Sequence, residues 1–318
     1  MVAVSLAIEL LLMNCVGMFV RKAGIVKSDF ASQLTGLLMK ICLPCLIFRS
    51  VSQAVEFSLD ALKQCGIVIL IALITIVLSF LLGQLSYLLS GKSGFGRIMR
   101  YGLIFSHFSF MGIPVIQALY GDVGIFYYSF FLIPVRIAYY SLSEPLMTPP
   151  GLGKDRKSMS EIVRSSAMNP CLISVALGLV FWVAGWQLPS VIDYCVKSLS
   201  GITSPLALLL CGIILSEYDI RKLLHLKYLL LPVARTVIMP LLFILLTLPL
   251  HNTSVDDMVW QITVIFTAMP VASLLPVYTL QYDPDTDNQL NAAGACFFSV
   301  LMSIITVPIF YSLLTNMI

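Results

Sequence analysis

The chain has 318 residues, of which 59% are hydrophobic and 11% charged, and its formal net charge is +3. Soluble domains carry about 25% charged residues, so these figures exclude a water-soluble globular protein. The small net charge gives no ground for expecting a nucleic-acid partner.

No Asp, Glu, Lys or Arg occurs in residues 64–91, 165–192, 258–282 or 288–318. Each of these runs exceeds the roughly 20 residues that a helix needs to cross the hydrocarbon layer. The runs are continuous rather than alternating in polarity, which selects helices over a β-barrel. In chain order the expected spans are 2–20, 30–53, 64–90, 98–120, 123–146, 168–187, 190–216, 223–250, 257–281 and 288–315. The first contains Glu9 and has neither a basic leader nor a small-residue cleavage site before Arg21, so it reads as a retained span rather than a signal peptide.

Basic residues follow alternate spans. Arg21, Lys22 and Lys27 come after span 1, and Lys92, Arg97 and Arg100 lie around the loop after span 3. Lys154, Arg156, Lys157 and Arg164 follow span 5, and Arg221, Lys222 and Lys227 follow span 7. These are thirteen of the nineteen Lys and Arg residues, and the positive-inside rule puts them in the cytoplasm with both termini outside. The expected location is a cell membrane. The acidic stretch "YDPDTDN" between spans 9 and 10 falls on the same side, which the rule tolerates because acidic residues contribute little to orientation.

The stretch "TPPGLGKDRKSMSEIVRSS", residues 148–166, is rich in Pro, Gly and charge and divides the chain. It leaves five spans in residues 1–147 and five in residues 167–318, with a cytoplasmic linker between. Five is odd, so two halves of one fold would enter the membrane with opposite orientation. The expected fold is therefore an all-α polytopic membrane protein of ten transmembrane helices in two inverted five-helix repeats. Prolines echo between the halves: Pro44 in "CLPCLIF" with Pro205 in "TSPLALLL", and Pro114 in "MGIP" with Pro270 in "TAMP". Paired interruptions of this kind, here in spans 4 and 9, point to a transporter binding site where half-helix ends come together. A proline frees the carbonyl four residues back, and half-helix N-termini present N–H groups and a positive dipole end to a carboxylate. Gly112 would let backbone or ligand approach closely.

Ionisable groups inside spans are costly and mark pathways or partners. Arg136, in "FLIPVRIAYYS", is the candidate substrate cation, because a guanidinium matches a carboxylate with two parallel donors; the alternative is an ion pair with Glu9 or Glu144. Arg235, five residues before Pro240, is read as structural or as reaching the cytoplasmic surface, with coupling or an ion pair as the other option. His107 could carry a coupling proton or serve as a hydrogen-bonded structural histidine. Ser109, Ser273 and Asn169 are candidate polar liners. Glu9 could carry a proton or balance an arginine. Cys42-Leu-Pro-Cys45 lies among apolar residues, and its thiols read as packing rather than redox groups. No carboxylate cluster suggests a metal site and no cofactor is expected.

Several segments, taken in order, resemble the auxin efflux carrier family, whose bacterial members are called malate or malonate permeases and whose plant members are the PIN transporters. They are "LPCLIFRSVS" at 43–52, "MGIPVIQALYG" at 111–121, "NPCLISVALGLV" at 169–180, "SPLALLLCGIIL" at 204–215, "ARTVIMPLL" at 234–242, "AMPVASLLPVY" at 268–278 and "SIITVPIFYSLL" at 303–314. The resemblance implies a scaffold of spans 1, 2, 6 and 7 and a moving transport unit of spans 3–5 and 8–10. It implies a crossing at Pro114 and Pro270, flanked by Ile113 and Met269, that binds small organic anions and moves in an elevator-like way. Pro44, Pro205 and Asn169 would belong to the scaffold breaks. The chain departs from the family at His107, where an Asn is usual, at Ser109, where a Gly is usual, and at Leu274, where an Asn is usual.

The function expected is a secondary transporter of organic anions and not an enzyme, since His107, His225 and His251 are isolated from one another in sequence and no nucleophile pairs with a base. The rivals are a sodium-coupled carrier resembling the bile-acid symporters and a transporter-like membrane sensor. The expected partners are a small organic anion, the lipid bilayer, H+ or Na+ as coupling ion, and a second copy in a homodimer.

Overall fold

The computed structural model describes residues 2–27, 29–149, 161, 164, 168–223, 225–247 and 256–317. Most of the expected linker 148–166 lies outside them, as do Lys154, Arg156, Lys157 and His251. In lipid every backbone polar group must be satisfied within its own segment, so apolar runs of this length become helices. The described elements are α1 (Val2–Lys22), α2 (Phe30–Leu37), α3 (Leu43–Gln53), α4 (Leu59–Leu89), α5 (Gly94–Ile104) and α6 (Ile113–Met147). They continue with α7 (Pro170–Ala184), α8 (Ser190–Gly201), α9 (Thr203–Leu215), α10 (Ile220–Leu223), α11 (Leu230–Val233) and α12 (Met239–Thr247). The last are α13 (Asp257–Ala268), α14 (Leu275–Tyr282) and α15 (Thr286–Met317).

Among the described residues seven helical stretches are long and apolar enough to cross a membrane, fewer than the ten expected. The difference has a local cause. The span expected at 257–281 is split into α13 and α14, and the one expected at 168–187 is the 15-residue α7. The span expected at 98–120 is interrupted, and its second part runs on into α6, which bends at Gly121 (φ 62, ψ −153), a conformation open to glycine. Along α4 the exposed residues Leu70, Leu73, Ile74, Val77, Leu81, Leu85 and Leu88 form a helical stripe. Such a stripe would cause aggregation in water and suits contact with lipid.

Three helical stretches contain a widened π turn: Leu38–Cys42, Phe108–Gly112 and Ala234–Ile238. Each ends two residues before a proline, at Pro44, Pro114 and Pro240 respectively. A proline ring clashes with the carbonyl four residues back, and a π turn opens the ladder where that clash would fall. These prolines therefore sit in continuing helices. At Pro114 the carbonyl left without its helical donor is that of Phe110, and the Cys211 thiol donates to it at 3.8 Å.

The chain forms two compact units. One comprises residues 1–70, 109–133 and 163–217, the other residues 71–108, 134–162 and 218–318. In the first, α1 packs along α9, and α3 packs on α7 and α8. Close approach of α1 and α9 depends on glycine: a Cβ on Gly212 would run into the Asn14 carbonyl, and one on Gly17 into the Leu209 carbonyl. Small residues are the usual means of bringing membrane helices together. Gly212→Val is expected to lower stability by about 1–3 kcal/mol, the cost of overpacking a close contact, measured as thermal unfolding in detergent. Arg49 and Asp122 form a salt bridge at 3.0 Å in this unit, and the Trp182 indole donates to the Val55 carbonyl at 2.6 Å.

In the second unit α15 packs against α11, α13 and α14, and α12 against α13. One end carries the acidic loop of "YDPDTDN". There Asp283 pairs with Arg97 at 3.1 Å, both side chains nearly buried, and Asp287 pairs with Lys227 at 2.6 Å. The acidic loop thus lies beside basic residues from the loops after spans 3 and 7, and two of its three carboxylates are paired with them.

Candidate functional site

Within the second unit both α5 and α13 stop abruptly and their chains meet. After Ile104 the backbone becomes extended at Phe105 (φ −109, ψ 124), and after Ala268 it becomes extended at Met269 (φ −63, ψ 147). The two stretches run antiparallel, with Ser106 opposite Val271. The His107 amide donates to the Pro270 carbonyl at 2.8 Å, and the Ala272 amide donates to the Phe105 carbonyl at 3.2 Å. A third backbone donor, Val271 N–H, is taken by the Ser299 hydroxyl of α15 at 3.1 Å, while the Cys296 thiol donates to the Ala272 carbonyl at 3.6 Å. The unwound groups are thus satisfied by each other and by α15, as an apolar medium requires.

Arg235 holds the two helix ends. Its Nη1 donates to the Leu103 carbonyl at 2.6 Å, its Nε to the Met269 carbonyl at 3.3 Å and its Nη2 to the Phe266 carbonyl at 3.4 Å. These carbonyls belong to the C-terminal ends of α5 and α13, where the last turn leaves acceptors unpaired and the dipole is negative. The side chain is fully buried. This corrects the expectation that Arg235 reaches the membrane surface: the carbonyls it satisfies lie inside.

Arg136, on α6, lies beside the same break. Its guanidinium carbon is 6.0 Å from the centre of the Phe108 ring, and one turn along, Tyr139 packs edge-on against both Phe105 and Phe108 at 5.2 and 5.4 Å. The Arg136 side chain is 0% exposed, and none of its three nitrogens has a hydrogen-bond partner among the described residues. The alternative pairing with Glu144, in the same unit, does not form. Glu9 is exposed on α1, and the Glu144 carboxylate accepts from the Tyr282 hydroxyl at 2.7 Å. Ser106 Oγ, at the bridge itself, is likewise buried without a partner. Buried polar groups are nearly always hydrogen-bonded, so two exceptions at one crossing call for an explanation.

The remaining expected residues are distributed as follows. His107, Met269 and Pro270 lie in the paired strands and are buried, and Ser273, partly buried, follows them before α14. Ser109, Gly112, Ile113 and Pro114 are buried in the other unit, in the π turn and the start of α6. The interruption expected at Pro114 therefore falls at residues 105–107. Pro44 lies at the start of α3 and Pro205 near the start of α9, in the first unit. Asn169 is the N-cap of α7, its side-chain oxygen accepting from the amides of Cys171 at 3.0 Å and Leu172 at 3.4 Å. Sequence reasoning missed Phe105, Ser106, Cys296 and Ser299. The last two were detectable as part of a stripe of small polar residues in span 10, completed by Ser303 at helical spacing. Among the described residues no group of three or more His, Cys, Asp or Glu side chains is placed to hold a metal ion.

The profile of the family described as "Membrane transport protein" matches residues 2–311. The chain is 25% identical over 311 residues to an uncharacterized transporter of Methanothermobacter thermautotrophicus, covering 95% of each chain. It is 27% identical over 221 residues to the uncharacterized transporter MJ1031 of Methanocaldococcus jannaschii, covering 68% of this chain and 70% of that one.

Proposed function

The chain belongs to the membrane transport protein family, the auxin efflux carriers, and from that membership we propose that it is a secondary transporter of small organic anions. The observation that carries the anion is Arg136. A guanidinium keeps its charge permanently and offers a planar fork of donors matched to a carboxylate. Burying it without a protein acceptor is costly, and an anion arriving beside the crossing would supply one. The unpartnered hydroxyl of Ser106 is a second donor for such a group. The two compact units support alternating access by an elevator-like displacement of the unit that bears the crossing.

A thermal-shift series on purified protein tests the site, since a ligand that prefers the folded state raises its apparent stability. Mono- and dicarboxylates, amino acids and indole acids are screened at increasing concentration. At least one carboxylate is expected to stabilise the wild type, and Arg136→Gln to abolish that shift while remaining folded. Unchanged stabilisation in Arg136→Gln would remove Arg136 from the site. Uptake into proteoliposomes with and without a sodium or proton gradient then separates coupled transport from uniport.

A further inference from the structure

We infer that this carrier is an obligate anion exchanger, one that returns across the membrane only with an anion on Arg136; this rests on the anion site proposed above. The Arg136 guanidinium is 0% exposed, so its surroundings are closed to solvent. Three acidic side chains described in the same unit are engaged elsewhere: Glu144 accepts from Tyr282, Asp283 pairs with Arg97, and Asp287 pairs with Lys227. The Phe108 ring lies 6.0 Å from the guanidinium carbon, the outer limit of a cation–π contact. A buried lysine or histidine could enter this closed state by releasing its proton, but an arginine does not. Closure with the site empty therefore places an uncompensated charge in a low-dielectric interior. Removing one partner of a buried ion pair is costly enough to make such a state rarer by roughly 100-fold or more.

Alternating access passes through a closed state in both directions. The loaded carrier crosses with Arg136 neutralised by its cargo, and the return leg needs a second anion from the opposite side. Net movement down a gradient is then slow, and one-for-one exchange is fast. A carrier whose cation had a built-in carboxylate partner would show no such difference.

The test measures efflux from proteoliposomes loaded with radiolabelled succinate, lactate or benzoate, which represent dicarboxylates, hydroxy acids and aromatic acids. Efflux is compared with and without the same unlabelled anion outside, in a medium whose other anions give no thermal shift. For the carboxylate that stabilises the protein, external anion is expected to accelerate efflux by roughly 100-fold. Arg136→Gln, which removes the charge, is expected to bring the ratio of exchange to net efflux near one at a lower absolute rate. Arg136→Lys keeps the charge and is expected to retain a high ratio, which separates a role for the charge from one for shape. If a carboxylate stabilises the protein through Arg136 yet efflux is equally fast without external anion, exchange is overturned and the anion site stands. If no carboxylate stabilises the protein or is moved, the anion site fails and exchange with it.

Discussion

Arg235→Ala is expected to abolish uptake and to destabilise the protein by about 3–5 kcal/mol, the scale of truncating one partner in a buried charged network. The arginine donates to three carbonyls at the ends of two interrupted helices, at 2.6, 3.3 and 3.4 Å. Alanine would leave those acceptors buried and unsatisfied, and each such group costs about 1–3 kcal/mol. It would also remove the one positive charge that faces both helix C-termini in this network. Arg235→Lys keeps the charge but lacks the fork, so it can reach fewer of the three acceptors and should recover part of the stability and of the uptake. The checks are unfolding in detergent and initial uptake rate in vesicles. Wild-type uptake in Arg235→Ala would show that the paired strands hold without it.

The second large effect separates two prolines that look equivalent in sequence. Pro270→Ala is expected to reduce uptake more than about 10-fold, whereas Pro114→Ala should keep more than about half. Pro270 lies in the extended stretch between α13 and α14, where its carbonyl accepts from the His107 amide. Alanine there restores an N–H and removes the ring, so α13 gains the option of running on toward α14, at the expense of the pairing with residues 105–107. Pro114 sits in a continuing helix, where the π turn before it already accommodates the ring. An alanine amide at 114 would simply regain the Phe110 carbonyl that now accepts from the Cys211 thiol. The double variant should match Pro270→Ala alone. Equal losses from the two single variants would refute this distinction.

Much of the site was legible from residue identities. Pro270 breaks its helix because proline lacks a donor, a local property that sequence displays directly. Arg136 stood out because charge is rare in an apolar run, and the structure keeps it buried. The break before Pro114 was misplaced for an equally physical reason. "GLIFSHFSF" contains no proline and its glycine lies within α5, so nothing local stops the helix at Ile104. It stops because Val271 pairs with Ser106 and Arg235 takes the Leu103 carbonyl, and both partners are more than a hundred residues away. The family's segments marked the right neighbourhood, but they carry no register for where a chain unwinds.

By itself the sequence determined that this chain lives in a bilayer, that its segments are helical, and which few charges enter the apolar layer. Those properties follow from transfer free energies and from the need to satisfy backbone groups within a segment, and both act locally. Tertiary structure decided which prolines break a helix and which are absorbed in a π turn. It also decided that Arg235 caps two helix ends, and that Arg136 finds no acceptor among the described residues. Hydrogen bonding inside an apolar medium is settled by whichever partner lies within about 3 Å, and that partner is set by packing between elements distant in sequence.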